Sequence, residues 1–205
     1  LPKNNNQDIR RSAAMLARAV EGEGNERVFR ISFSSEEPDV FLWGTEIMDH
    51  SAGAADLQRI NELGVVLFNH DRNRVVGKVR RAWIENGRGE AEIEFDTDAE
   101  SEVIFQKVKN GTLKGVSVRA HVTNWEDVAR GEMSSDGRFA GPCAIARKWE
   151  AIEISIASLP ADATVGVERS ADENDAPEEG AEDLVTRSYR ERVIQILELQ
   201  GGTQH

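Results

Sequence analysis

Asn86-Gly87 stands between two runs in which apolar and polar residues alternate, Arg81-Ala82-Trp83-Ile84-Glu85 before it and Glu90 to Phe95 after it. An Asn-Gly pair supplies the two left-handed residues that a two-residue turn needs, so this stretch is committed to an antiparallel hairpin. A hairpin alone is marginal in water, and its apolar face demands further strands or a helix to cover it. The chain offers several. Val28 to Phe33 alternates, 39–44 (DVFLWG) reads as a strand, and 62–80 holds an apolar strand, a polar turn at Asp71-Arg72-Asn73-Arg74 and a second strand. Residues 113–122 (LKGVSVRAHV) and 148–158 (KWEAIEISIAS) alternate as well, the latter stopped by Leu159-Pro160. Between the hairpin and 113–122, Thr97 followed by Glu100 reads as a capping box opening a helix through Lys109, with Asn110-Gly111 as its stop. Residues 1–10 read as unstructured, 11–20 as a short helix, and 51–61 as a short helix or irregular arm. The expected class is mainly β or α+β: an antiparallel β-barrel with one internal helix and a peripheral C-terminal helix.

The chain has 205 residues, room for one ordinary domain and an appendage. Its 25 basic and 37 acidic residues give a net charge of −12, which argues against nucleic acid as a partner. The acidity is concentrated. Residues 168–183 hold eight carboxylates and one arginine, a local charge of −7, with Pro177, Gly180 and no aromatic residue. This composition reads as a disordered linker. The expected organisation is an N-terminal arm over 1–27, a body over 28–167, an acidic linker over 168–181 and a helix with its tail over 182–205. In that last segment Leu184, Tyr189, Val193, Ile194 and Leu197 line one broad side, which suits packing on the body or on a second copy. One cysteine, Cys143, excludes an internal disulfide, and four scattered histidines match no short metal motif, so neither a metal nor another cofactor is expected. No run of 18 apolar residues is present, so no membrane contact is expected.

Three positions stand out for chemistry. In 113–122, Val116, Val118, Ala120 and Val122 share one face, while Ser117, Arg119 and His121 share the other. In 148–158, Ile152, Ile154 and Ile156 oppose Ala151, Glu153 and Ser155 by the same parity. His70 follows the apolar run Val65 to Phe68 into a turn. Serine, imidazole and carboxylate are the nucleophile, base and orienter that acyl transfer needs. Spacing alone leaves this open: Ser117 also fits an ordinary strand serine, and His70 a turn histidine bonding its neighbours. Glu153 is more pointed, since a carboxylate among isoleucines needs a partner or solvent.

The segment Leu67-Phe68-Asn69-His70-Asp71, with Val76-Gly77-Lys78-Val79 after it, resembles the first motif of the tailed-phage prohead proteases, capsid-maturation serine peptidases related to herpesvirus assemblin. Val108 to Val118, a helix end and glycine feeding a serine strand, resembles their nucleophile motif. Glu150 to Ile156 and then Leu159-Pro160-Ala161-Asp162-Ala163 is similar to their third. The resemblance implies a barrel of the assemblin type, with Ser117 as nucleophile, His70 as general base and Glu153 in the place the herpesvirus branch gives to a second histidine. Asp71 is the competing orienter, disfavoured because an adjacent residue cannot easily reach the imidazole nitrogen turned away from Ser117. Arg119 is a candidate helper for the oxyanion, whose donors are otherwise not legible. The resemblance further implies cleavage of scaffold and capsid-protein extensions inside an assembling procapsid in the bacterial host cytoplasm, self-cleavage near the acidic tract, and a homo-oligomer. Two other functions fit the same residues: a scaffold or capsid-assembly domain of little activity, and a non-catalytic peptide-binding β-barrel.

Overall fold

A computed structural model of the chain describes residues 5–14, 17–41 and 44–158. The expected linker over 168–181, the helix after it and the end of the 28–167 body lie outside the described residues. In chain order the elements are β1 (Gln7–Ala14), β2 (Arg18–Ala19), β3 (Val28–Ser35), β4 (Asp39–Phe41), β5 (Gly44–Met48), β6 (Ala55–Asp56), α1 (Gln58–Leu63), β7 (Val65–Phe68), β8 (Asp71–Glu85), β9 (Arg88–Phe95), α2 (Ala99–Lys109), β10 (Gly115–Val128) and β11 (Cys143–Ala157).

The strands form one sheet in the order β1-β10-β11-β7-β8-β9-β3-β2, with β4, β5 and β6 branching from β11. The long strand β11 is antiparallel to β10 but parallel to β5, β6 and β7, so the sheet is mixed. This overturns the expected closed antiparallel barrel. Closure needs a ladder between the two ends of the path, and among the described residues β1 pairs only with β10 while the two-residue β2 pairs only with β3. The result is an open, mostly β sheet with two helices.

The Asn86-Gly87 hairpin forms as its sequence requires, with φ of 51° and 71° at the two turn residues and Glu85 paired to Arg88. Strand β9 alternates half-buried and buried residues along its whole length. Its inner face packs with Ile31, Phe33, Val116, Val118, Ile154 and Ile156 into one core. Helix α2 closes part of that core, setting Phe105 edge-on to Phe29 with ring centroids 6.0 Å apart. Its cap is Asp98 rather than Thr97: the Asp98 carboxylate accepts the N–H groups of Glu100 and Ser101 at 3.0 and 3.1 Å. Gly111, at φ 69°, ends the helix and turns the chain into β10.

Among the described residues, the helix expected over 11–20 and the unstructured run expected over 1–10 give way to strand from Gln7. Residues 7–14 instead form β1, because the edge of β10 offers a ladder partner to every one of them and Ile9 and Arg11 alternate inward. Tertiary pairing overrides a weak local helix preference here.

Candidate active site

Three strands and one turn build the site. Asn69 and His70 link β7 to β8 with φ of 54° and 60°, and Phe68 pairs with Asp71 across them. Positive φ at both central residues is the mark of the tight hairpin turn that suits twisted strands, and Asn and His tolerate it better than most residues. The turn therefore lies at Asn69-His70, not at Asp71 to Arg74, which belong to β8. The Asn69 side chain accepts the backbone N–H of Ser158 at 2.8 Å and its hydroxyl at 3.1 Å, fixing the turn to the end of β11.

On the neighbouring strands Ser117 pairs with Ser155 and Arg119 with Glu153. The register slips just beyond, where Ala120 pairs with Ala151 and Ile152 is left over. This bulge corrects the simple parity of β11: Ala151 joins the core beside Ile154 and Ile156, and Ile152 is displaced to a half-buried position. Glu150, opposite His121, thereby comes round to the same side of the sheet as Glu153.

The turn lowers His70 between the two carriers. Its Nδ1 lies 2.6 Å from Glu153 Oε1 and its Nε2 lies 2.8 Å from Ser117 Oγ. Burial raises the Glu153 carboxyl pKa, but hydrogen bonds from His70 and Ser155 outweigh it and hold the group below its ordinary value. An ionised carboxylate only accepts, so Nδ1 carries the proton and Nε2 turns its lone pair toward Ser117. The arrangement can remove a proton from Ser117 Oγ and stabilise the imidazolium that results.

Asp71 stands apart from this chain of bonds. Its carboxylate is exposed and accepts the backbone N–H of Asn73 at 2.9 Å. Arg119 lies on the Ser117 face but is engaged by Asp8 of β1 at 2.5 Å. Among the described residues, no three His, Cys, Asp or Glu side chains are grouped to hold a metal ion, and no helix is long and apolar enough to cross a membrane.

Ser155 shares a face with Glu153 by sequence parity and fits hydrogen bonding near the acid, whereas Ser12 escapes sequence reasoning. Ser155 Oγ donates to Glu153 Oε1 at 2.7 Å. Ser12, the β1 partner of Ser117, donates its hydroxyl to Ser117 Oγ at 2.9 Å. The Ser117 hydroxyl in turn donates to the backbone carbonyl of Arg11 at 2.9 Å, and Ser117 is wholly buried. A cleft of about 580 Å³ is lined by His70, Glu153, Arg72 and Arg119 together with Asp8, Ile9 and Arg10 of β1.

A protein of Halomonas phage phiHAP-1 described as its major capsid protein is 32% identical over 147 residues, which are 70% of this chain and 23% of that protein. The chain thus spans about a quarter of the length of this relative. The solved structure of the bacteriophage T4 capsid assembly protease, gp21, superposes with a TM-score of 0.48 at 10% identity, covering 77% of this chain and 100% of that one. The sequence pattern of the caudovirus prohead serine proteases matches residues 23–178, which include His70, Ser117 and Glu153. The chain belongs to the caudovirus prohead serine protease family.

Proposed function

We propose that this chain is a serine endopeptidase that cleaves capsid and scaffold protein segments by acyl-enzyme chemistry. The observation that carries the reading is the alignment of Ser117 Oγ, 2.8 Å from His70 Nε2, with the ring's Nδ1, 2.6 Å from Glu153 Oε1. In the reaction His70 Nε2 takes the Ser117 proton as Oγ attacks the scissile carbonyl. The same nitrogen then returns the proton to the leaving amine, and water repeats the sequence to release the acyl group. Glu153 keeps the ring in the tautomer that can accept and balances its charge while the proton is held. The 23% share of a capsid protein that this chain matches supports capsid segments as substrates and the procapsid interior as the place of action.

The test is cleavage of peptides drawn from the capsid and scaffold proteins of the same virus. Ser117→Ala and His70→Ala are expected to abolish cleavage, and Glu153→Ala to lower kcat by roughly 10²–10⁴-fold. Asp71→Ala is expected to stay within about twofold, because surface changes away from the site have small effects. Full activity in Ser117→Ala would end this reading, and a loss confined to Asp71→Ala would transfer the orienting role.

A further inference from the structure

Strand β1 lies against the strand that carries Ser117. It covers the edge of β10 from Gly115 to Val122, and the residue it sets against Ser117 is another serine. The family match begins at residue 23, so β1 precedes the part of the chain that the family shares. Without β1, β10 would show a free edge directly at Ser117. Such an edge takes an extended peptide by strand addition, with main-chain bonds for affinity and side-chain pockets for selection.

The contacts of β1 are those of a peptide read residue by residue. The Arg11 side chain is buried between Asp39, 2.9 Å from its Nε, and Glu46, which pairs with its Nη2. Ile9 enters the core. On the other face Asp8 meets Arg119 at 2.5 Å and His121 at 2.7 Å. The Arg11 carbonyl is delivered to Ser117 Oγ, but in an unproductive way. A hydroxyl has one proton, and while Ser117 gives it to the Arg11 oxygen it cannot give it to His70. In a reacting complex that oxygen is met by separate donors and the nucleophile aims at the carbon.

We propose that the edge of β10 is the peptide-binding edge of the protease and that β1 fills it as a substrate mimic held in cis. The peptide that replaces β1 is extended and antiparallel to β10, with a carboxylate at the place of Asp8, an apolar residue at that of Ile9 and a basic residue at that of Arg11. This rests on the reading of Ser117 as nucleophile, and the experiment keeps the two apart.

The full chain is treated with a fluorophosphonate, which forms a phosphorus–oxygen bond to an activated serine as fluoride leaves and the serine proton passes to the base. Two variants carry a charge that opposes docking of β1: Ile9→Asp, and Arg11→Glu set against Asp39 and Glu46. Hydrogen exchange of the 115–122 amides reports whether β1 has left, and exchange in α2 reports the fold. The expected result is faster exchange along 115–122 alone, with labelling at least about tenfold faster than in the wild type, since reactivity follows the open fraction. A synthetic peptide of residues 5–14 should restore protection in trans, and its Asp8→Ala form should need about tenfold more, the effect of one charge-assisted contact. Faster edge exchange with unchanged labelling overturns the inhibitory role and leaves Ser117 as nucleophile. Loss of protection in α2 as well, or none at the edge, makes β1 an integral strand and overturns the proposal. So does failure of the added peptide to protect. Labelling of Ser117→Ala equal to that of the wild type, or no labelling in any protein, removes the nucleophile itself and the inference with it.

Discussion

Ser155 serves two groups of the site through one hydroxyl: Oγ donates to Glu153 Oε1 at 2.7 Å and accepts the backbone N–H of His70 at 3.3 Å. It touches no substrate; it sets the carboxylate that sets the imidazole, and is a positioning residue. Removing it is expected to cost about 0.5–1.5 kcal/mol of alignment, or roughly a two- to tenfold fall in kcat. Ser155→Ala should leave KM unchanged. It should also move the acidic limb of the kcat profile to higher pH, because Glu153 loses a bond that favours its charged form. An unshifted limb with a lowered rate would reduce Ser155 to a packing role. The sequence points to His70, Ser117 and Glu153 because their motifs run in order along the chain and each residue type suits one step. It is silent about Ser12, whose partner lies 105 residues away, since nothing in Gln7 to Ala14 names the strand it will join.

At the scale of elements, the Asn69-His70 turn carries the site's geometry. Asn69 accepts a left-handed conformation and bonds Ser158 with its side chain, while its own N–H donates to the Ile156 carbonyl at 2.9 Å. Asn69→Ala keeps only the main-chain bond and sets a side chain with no local partner at φ 54°. The expected loss is about 2 kcal/mol, from left-handed strain and the missing bonds together. That corresponds to a Tm lower by roughly 4–8 °C, measured by calorimetry. Asn69→Gly removes the strain but not the lost side-chain bonds, and should recover about half of the deficit. Equal losses in both would place the whole effect in the Ser158 contact. Asn86-Gly87 is legible because glycine announces a left-handed position, whereas Asn69-His70 has none and the polar run Asp71 to Arg74 beside it imitates a loop. The same near-degeneracy moves the helix cap by one residue. Thr97 and Asp98 are both good caps, and only the carboxylate's reach to Glu100 and Ser101 decides between them.

Across the whole molecule, the open sheet is the property least accessible to sequence. Alternation reveals strands, but closure depends on whether the two terminal strands meet, and β1 is instead spent on the edge of β10. The net charge is likewise resolved only in space: Arg80 and Lys78 pair with Glu94 and Arg81 with Glu92, so a basic run along β8 is neutralised by β9. Away from the site a second assembly ties distant segments together. Arg147 of β11 bonds Asp49, Glu126 and Asp136 at 2.7, 2.6 and 2.8 Å, and Arg138 reaches Asp49 at 2.5 Å and Glu36 at 2.8 Å. Burial raises the Asp49 carboxyl, yet the bonds from Arg147, Ser51 and Arg138 prevail and bring it down to about 2. His50 beside it is buried with Nδ1 2.9 Å from the Met48 carbonyl and Nε2 2.8 Å from Ser34 Oγ, and that burial lowers its pKa below the ordinary 6.5. Both depressed values mean that the unfolded chain binds more protons than the folded one. Stability is therefore complete above the ordinary histidine value. It falls first as pH drops below about 6.5 toward the His50 value in the fold, and again between about 4 and about 2 as Asp49 is protonated. Urea midpoints should decline from about pH 7 to about pH 5.5 in the wild type and stay level in His50→Gln, while both proteins lose stability below about pH 4. A wild-type midpoint that is flat down to about pH 5.5 would mean that His50 takes up its proton inside the fold without cost, against the burial that surrounds it.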